Sequence, residues 1–141
     1  MLPEQKAYIY AWADGVTASG FLAGIYCSGI SAQKEGGEDI ITANDLRQNG
    51  GERKIVYWVT NDACPPSPGC GFPRRAPNPT ASGIPFAEVW QFAQSPKRPD
   101  VAAKCPGYNP DGNCYPPGAA AQRLHIDVDT ASSPDPSRGR R

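Results

Sequence analysis

The sequence predicts an α/β fold, part of a β/α barrel with long loops that carry disulfides. Three observations point there. Helical and strand-like segments follow one another as helix, strand, helix, strand, loop, strand, loop, strand. Strands separated by helices read as parallel units of one sheet. Each strand-like run also ends in polar or aromatic residues: Tyr26 and Ser28, Asn61 and Asp62, Gln91 and Gln94, Asp127 and Asp129. In α/β barrels the functional groups gather at the C-terminal ends of strands. Finally, two clear helices are too few to shield both faces of a parallel sheet, which favours a barrel segment over a complete doubly wound domain.

The first helix is expected over residues 4–18. Pro3 suits a first helical turn, and Ala7, Tyr8, Ala11 and Trp12 recur at three- and four-residue spacing as its apolar face. Gly20 breaks the chain before a short buried strand at 21–28. A second helix is expected at 38–48, with Ile40, Ile41 and Leu46 inward and Asn49-Gly50-Gly51 as its stop. The β-branched and aromatic run KIVYWVT makes a strand at 54–60. FAEVWQFAQ makes another at 86–94 and LHIDVDT a last one at 124–130, after the long loops 61–85 and 95–122. Residues 131–141 read as a polar, disordered tail, leaving 1–130 as one domain.

Composition narrows the function. Fourteen basic and fourteen acidic side chains balance, so neither nucleic acid nor an anionic membrane surface is an expected partner. No apolar run approaches the roughly 18–20 residues that span a bilayer. Sixteen prolines and fifteen glycines make up over a fifth of the chain, and their combined enrichment sits in the two loops and the tail. Cys64 and Cys70 bracket CPPSPGC, and Cys105 and Cys114 bracket CPGYNPDGNC. Such core-less excursions are naturally ordered by covalent staples, so two disulfides are favoured, with zinc binding and free thiols as rival readings. Cys27, within GFLAGIYCSG, reads as a small buried hydrophobe. Disulfides imply an oxidising compartment, yet MLPEQKAYIY has no basic, apolar or cleavage-site region of a signal peptide. A secreted or cell-envelope location is therefore expected, with the export signal on a longer parent chain.

The series GIYCSG, IVYWVTND, VWQFAQ and HIDVDT resembles the last four strands of the family 25 glycoside hydrolases. It is closer still to the bacterial glycoside-hydrolase-like domains of unknown function related to those lysozymes. Their pattern is a G-x-Y-(S/C) strand, a W-(V/A)-A strand, a W-Q-(Y/F) strand and a closing D-x-(N/D) strand. The resemblance covers residues 5–130 and implies the C-terminal half of a TIM-like barrel whose last strands lack full helices. It further implies a polysaccharide partner, of which peptidoglycan is one candidate, and no cofactor.

Glycoside hydrolysis usually needs two carboxyl groups flanking the scissile bond. In the family the acid/base pair stands as Asp-x-Glu in the first half of the barrel, with another Asp on the first strand. This chain contains no Asp-x-Glu, so alone it is expected not to hydrolyse glycan. Asp127, Asp129 and Asp62 are its candidate pocket acids; the first two, two residues apart on a strand, face the same way. Tyr26, Trp58, Trp90 and Gln91 are the candidate substrate-binding residues. Trp58 and Trp90 also suit a core or barrel wall. If Trp90 packs outward against helices, Gln91 lines the interior. His125 reads as a structural group beside apolar neighbours. Three function classes follow: a fragment of a glycoside-hydrolase-like domain acting on or binding cell-wall polysaccharide, a non-catalytic carbohydrate-binding module, and half-barrels paired into a homodimer through the open sheet edge.

Overall fold

The computed structural model describes residues 1–34, 36–61, 75–94 and 127–136. They form an α/β arrangement of two helices and a mixed four-stranded sheet. Helix α1 (Pro3–Ala18) leads into strand β1 (Ala23–Ser28). A small antiparallel ribbon follows, β2 (Ser31–Gln33) with β3 (Asp39–Ile41), and then helix α2 (Thr42–Asn49). Strand β4 (Ile55–Thr60), a 3-10 turn at Pro79–Ser82, β5 (Ala87–Gln94) and β6 (Asp127–Ala131) complete the order. The sheet runs β1-β4-β5-β6. β1 pairs with β4 and β4 with β5 in parallel, and β6 returns antiparallel to β5.

The parallel arrangement expected for all four strands therefore ends at β5. The described strands form an open sheet and not a closed barrel, with β1 and β6 as its two edges. No described helix is long and apolar enough to cross a membrane. Cys64, Cys70, Cys105 and Cys114, with the loops they bracket, lie outside the described residues, as do Asp62 and His125.

Strand alternation sorts the sheet into a covered and an open face. Ala23, Ile25 and Cys27 stand in register with Ile55, Tyr57 and Val59, and all six are buried. Ala13 of α1, Ala43 and Leu46 of α2, Ile84 and Ala87 complete that core. Trp90 and Phe92 form a second buried cluster with Val128. Ala87 and Trp90 are three residues apart, yet their register partners Tyr57 and Val59 share the covered face. The irregularity opposite Tyr57 and Trp58 supplies the extra residue that this parity requires. Cys27 is a free, buried thiol whose burial pushes its pKa up to about 12, consistent with an inert core position.

Two element boundaries and the rotation of one helix depart most from the sequence reading. Asp39–Ile41 is a ribbon strand and not the first turn of α2. Its β-branched pair suits extended backbone, and the Lys34 Nζ–Glu38 ion pair at 2.8 Å braces the turn. Ile41 stays extended as the N-cap, so the helix begins at Thr42. The last strand reaches Ala131, and Ser132 N–H donates to the Glu88 carbonyl at 2.8 Å, so the first residues assigned to a disordered tail are pinned to β5.

The third difference is the rotation of α1. Ala7, Tyr8, Ala11 and Trp12 are exposed, and the buried side is Ala13 with Ile9, Tyr10 and Val16 against the core. Polar contacts choose between these two stripes. Tyr10 OH donates to the Leu46 carbonyl at 2.9 Å, tying α1 to the end of α2. The Arg53 guanidinium lies over the Tyr10 ring, 4.9 Å from its centroid, and grips Asp14 through Nε at 2.7 Å and Nη2 at 2.8 Å.

Candidate functional site

The open face carries one candidate side chain from each strand of the sheet. β1 contributes Tyr26, β4 Trp58, β5 Gln91 and β6 Asp129. Their placement follows from strand parity and register. Tyr26 is the direct partner of Trp58, and Gln91 that of Asp129. Tyr26 and Trp58 alternate with the buried residues of their own strands, so they must point away from the helices.

Three side-chain contacts link these four residues. The Tyr26 and Trp58 rings meet edge to face, with centroids 5.2 Å apart and planes at 78°. Tyr26 OH donates to Gln91 Oε1 at 2.5 Å. Trp58 Nε1–H donates to Asp129 Oδ1 at 2.8 Å. Because Gln91 and Asp129 are neighbours across the β5–β6 ladder, the contacts close into a ring spanning all four strands. Gln91 is only 3% exposed, whereas Tyr26 keeps 54% and Trp58 40% of its surface in solvent. The row thus has a buried amide beneath two accessible aromatic rings.

The carboxyl of Asp129 is raised above the usual aspartate range. Partial desolvation is the main cause, with a further push from the charge of Asp127; the Trp58 indole N–H opposes both. Asp127 is exposed and pairs in register with Gln94. Both described candidate acids therefore come from β6, on the same side of the aromatic pair.

Trp90 does not join this row. It is fully buried on the covered face, its indole N–H donating to the Asn61 carbonyl at 3.1 Å and its ring 5.7 Å from that of Phe92. Of the two branches open for β5, the structure takes the first: Trp90 lies on the helix-covered face, in register with Val59, and Gln91 on the opposite, open face. Thr60 went unnoticed in the sequence; two residues past Trp58 and in register with Gln91, it extends the polar part of the row. Gly29 also went unnoticed. A Cβ there would stand 2.4 Å from Val59 Cγ1, so glycine is what lets the turn after β1 approach β4.

A separate groove at the opposite end of the strands, about 370 Å³ in volume, is lined by Arg47, Arg53, Lys54 and Glu88 among others. Arg47 lies over the Phe86 ring and Arg53 is held by Asp14, so two of its three cations are engaged in packing the fold. No group of three or more potential metal ligands assembles among the described residues. No protein-family model, curated protein or solved structure matches this chain.

Proposed function

We propose that the open face binds polysaccharide, as part of a glycoside-hydrolase-like, lysozyme-like domain in the C-terminal half of a partial barrel, without cleaving glycan in this chain alone. The observation that carries this reading is the ring of Tyr26, Trp58, Gln91 and Asp129, drawn one from each strand. Accessible aromatic rings bordered by hydrogen-bonding groups suit a sugar, which offers an apolar ring face edged by hydroxyls. Cleavage would need carboxyl groups on either side of a bond, about 5–9.5 Å apart across it. Asp127 and Asp129 instead share one strand. Cell-wall glycan such as peptidoglycan is the proposed ligand class, encountered outside the cell or in its envelope.

Pull-down on insoluble peptidoglycan, with tryptophan fluorescence titration on soluble fragments, tests the proposal. Binding is expected without release of reducing ends. Trp58→Ala should weaken it by about tenfold or more, the scale of a lost aromatic anchor. Equal binding by Trp58→Ala would refute the assignment of this face. The outer edge of β1, which pairs with no strand among the described residues, supports a second reading as a homodimer contact. A sedimenting monomer at all concentrations would remove that reading.

A further inference from the structure

We propose that Asp129 is a positioning residue: its ionised carboxylate holds the Trp58 ring in the binding orientation, so that acid releases the ring and weakens glycan binding. The inference rests on the glycan-binding reading of the same face for its functional half only; the hold on the ring is a property of the protein by itself.

Trp58 is the central member of the row, and among the described residues two contacts restrain its ring. Tyr26 meets it edge to face, and Asp129 accepts its indole N–H. Tyr26 is fixed independently through its hydroxyl on the buried Gln91. Asp129 therefore supplies the polar restraint on the indole from the far side of the sheet. A charge-assisted acceptor makes a bond about twice as strong as a neutral one, so protonating Asp129 weakens the restraint without changing the shape of the side chain.

The surroundings determine when this happens. Facing Asp129 are the neutral side chains of Trp58 on β4 and Gln91 on β5, with the Tyr26 ring of β1 beyond Trp58. Its own strand contributes Asp127, whose charge disfavours a second negative charge nearby. Among the described residues no cation acts on Asp129, whereas Asp45 has Lys6 and the N-terminal amine, and Asp14 has Arg53. The release is thus expected above the ordinary aspartate value of about 3.9.

Two-dimensional NMR of the indole N–H groups, on the full chain without ligand, reads the restraint directly. The Trp58 signal should shift as pH falls from about 7 to about 3, with a midpoint above the ordinary aspartate value. The buried Trp90 indole, bonded to a backbone carbonyl, supplies an internal reference. Asp129→Asn keeps an uncharged acceptor in place, so its Trp58 signal should stay flat, while Asp127→Asn should retain the titration with a lower midpoint. Glycan affinity should drop about fivefold across the same range in the wild type, and Asp129→Asn should show the reduced affinity at every pH. A Trp58 signal that does not move, or that moves equally in Asp129→Asn, overturns the restraint. A titrating signal with pH-independent glycan affinity overturns the acid weakening. A titrating signal in a protein that binds no glycan leaves the restraint standing and refutes the binding reading instead.

Discussion

The two faces of the β1-β4-β5-β6 sheet are built from adjacent residues of the same strands and obey different rules. On the covered face, Ile25, Cys27, Tyr57, Val59 and Trp90 are excluded from water and packed against Ala13, Ala43, Leu46, Ile84 or Phe92. On the open face, Tyr26, Trp58 and Asp129 stay accessible, and their mutual order comes from directional contacts. Burial is non-directional and scales with area, so it tolerates many arrangements of similar volume. The open row depends on specific donors and acceptors. It can lose its geometry at little cost to folding.

Two tryptophans one strand apart offer the widest contrast. Trp90→Ala should destabilise the protein by about 3–5 kcal/mol, since it empties a fully buried site and removes the indole hydrogen bond to the Asn61 carbonyl. Trp58→Ala should cost about 1 kcal/mol or less in stability while abolishing most glycan binding, because much of its surface is already in solvent. Urea denaturation of both variants checks this. Similar losses for the two would mean that the open face is covered by another part of the chain.

The glycines of GIYCSG divide in the same way. Gly29→Ala places a methyl group 2.4 Å from Val59 Cγ1 and 3.2 Å from Ile84 Cγ1, both on the covered side. Overpacking of this kind costs about 1–3 kcal/mol. Gly24→Ala meets only Val56 atoms at 3.9 Å, an ordinary contact on the open side, and should change stability by about 0.5 kcal/mol or less. A cost at Gly24 matching that at Gly29 would show that the strand parity assigned to β1 is wrong.

Strand parity made much of this legible beforehand. IVYWVT and VWQFAQ are dense enough in β-branched and aromatic residues that both strands fall within a residue of expectation. Alternation also placed Gln91 opposite Trp90 in facing. Helix α1 resisted because it carries two apolar stripes: Ala7, Tyr8, Ala11 and Trp12 satisfy the helical period as well as Ile9, Tyr10, Ala13 and Val16 do. The choice is made by Tyr10 reaching the end of α2 and by Arg53 gripping Asp14, contacts 36 and 39 residues away that periodicity cannot contain. The reversal of β6 was equally hidden, since strand direction is set by the path of the connection and not by the composition of DVDTA. The members of the open row were legible as residue types; their closure into a ring was not, because that depends on the register of three strand pairs.

Acid should separate the two sides by sign. Asp45, at the α1–α2 junction behind the covered face, is pushed up by burial, but the Lys6 ammonium and the N-terminal amine outweigh this and leave its carboxyl below the usual range. A depressed folded pKa means stability that is present at neutral pH and lost as pH falls through that value. Asp129 has the opposite shift, so its ionised form burdens the folded state at neutral pH and acid relieves that burden. Asp45→Asn should therefore lower stability by about 1 kcal/mol at neutral pH, the scale of a partly exposed ion pair, and the difference should vanish once the wild-type carboxyl is protonated. Asp129→Asn should leave neutral-pH stability level or slightly raised. Denaturation midpoints at neutral pH and below the carboxylate range distinguish the two. If Asp129→Asn proved the more destabilising, its bond to Trp58 would hold the fold together, and the open row would have to be counted as part of the framework.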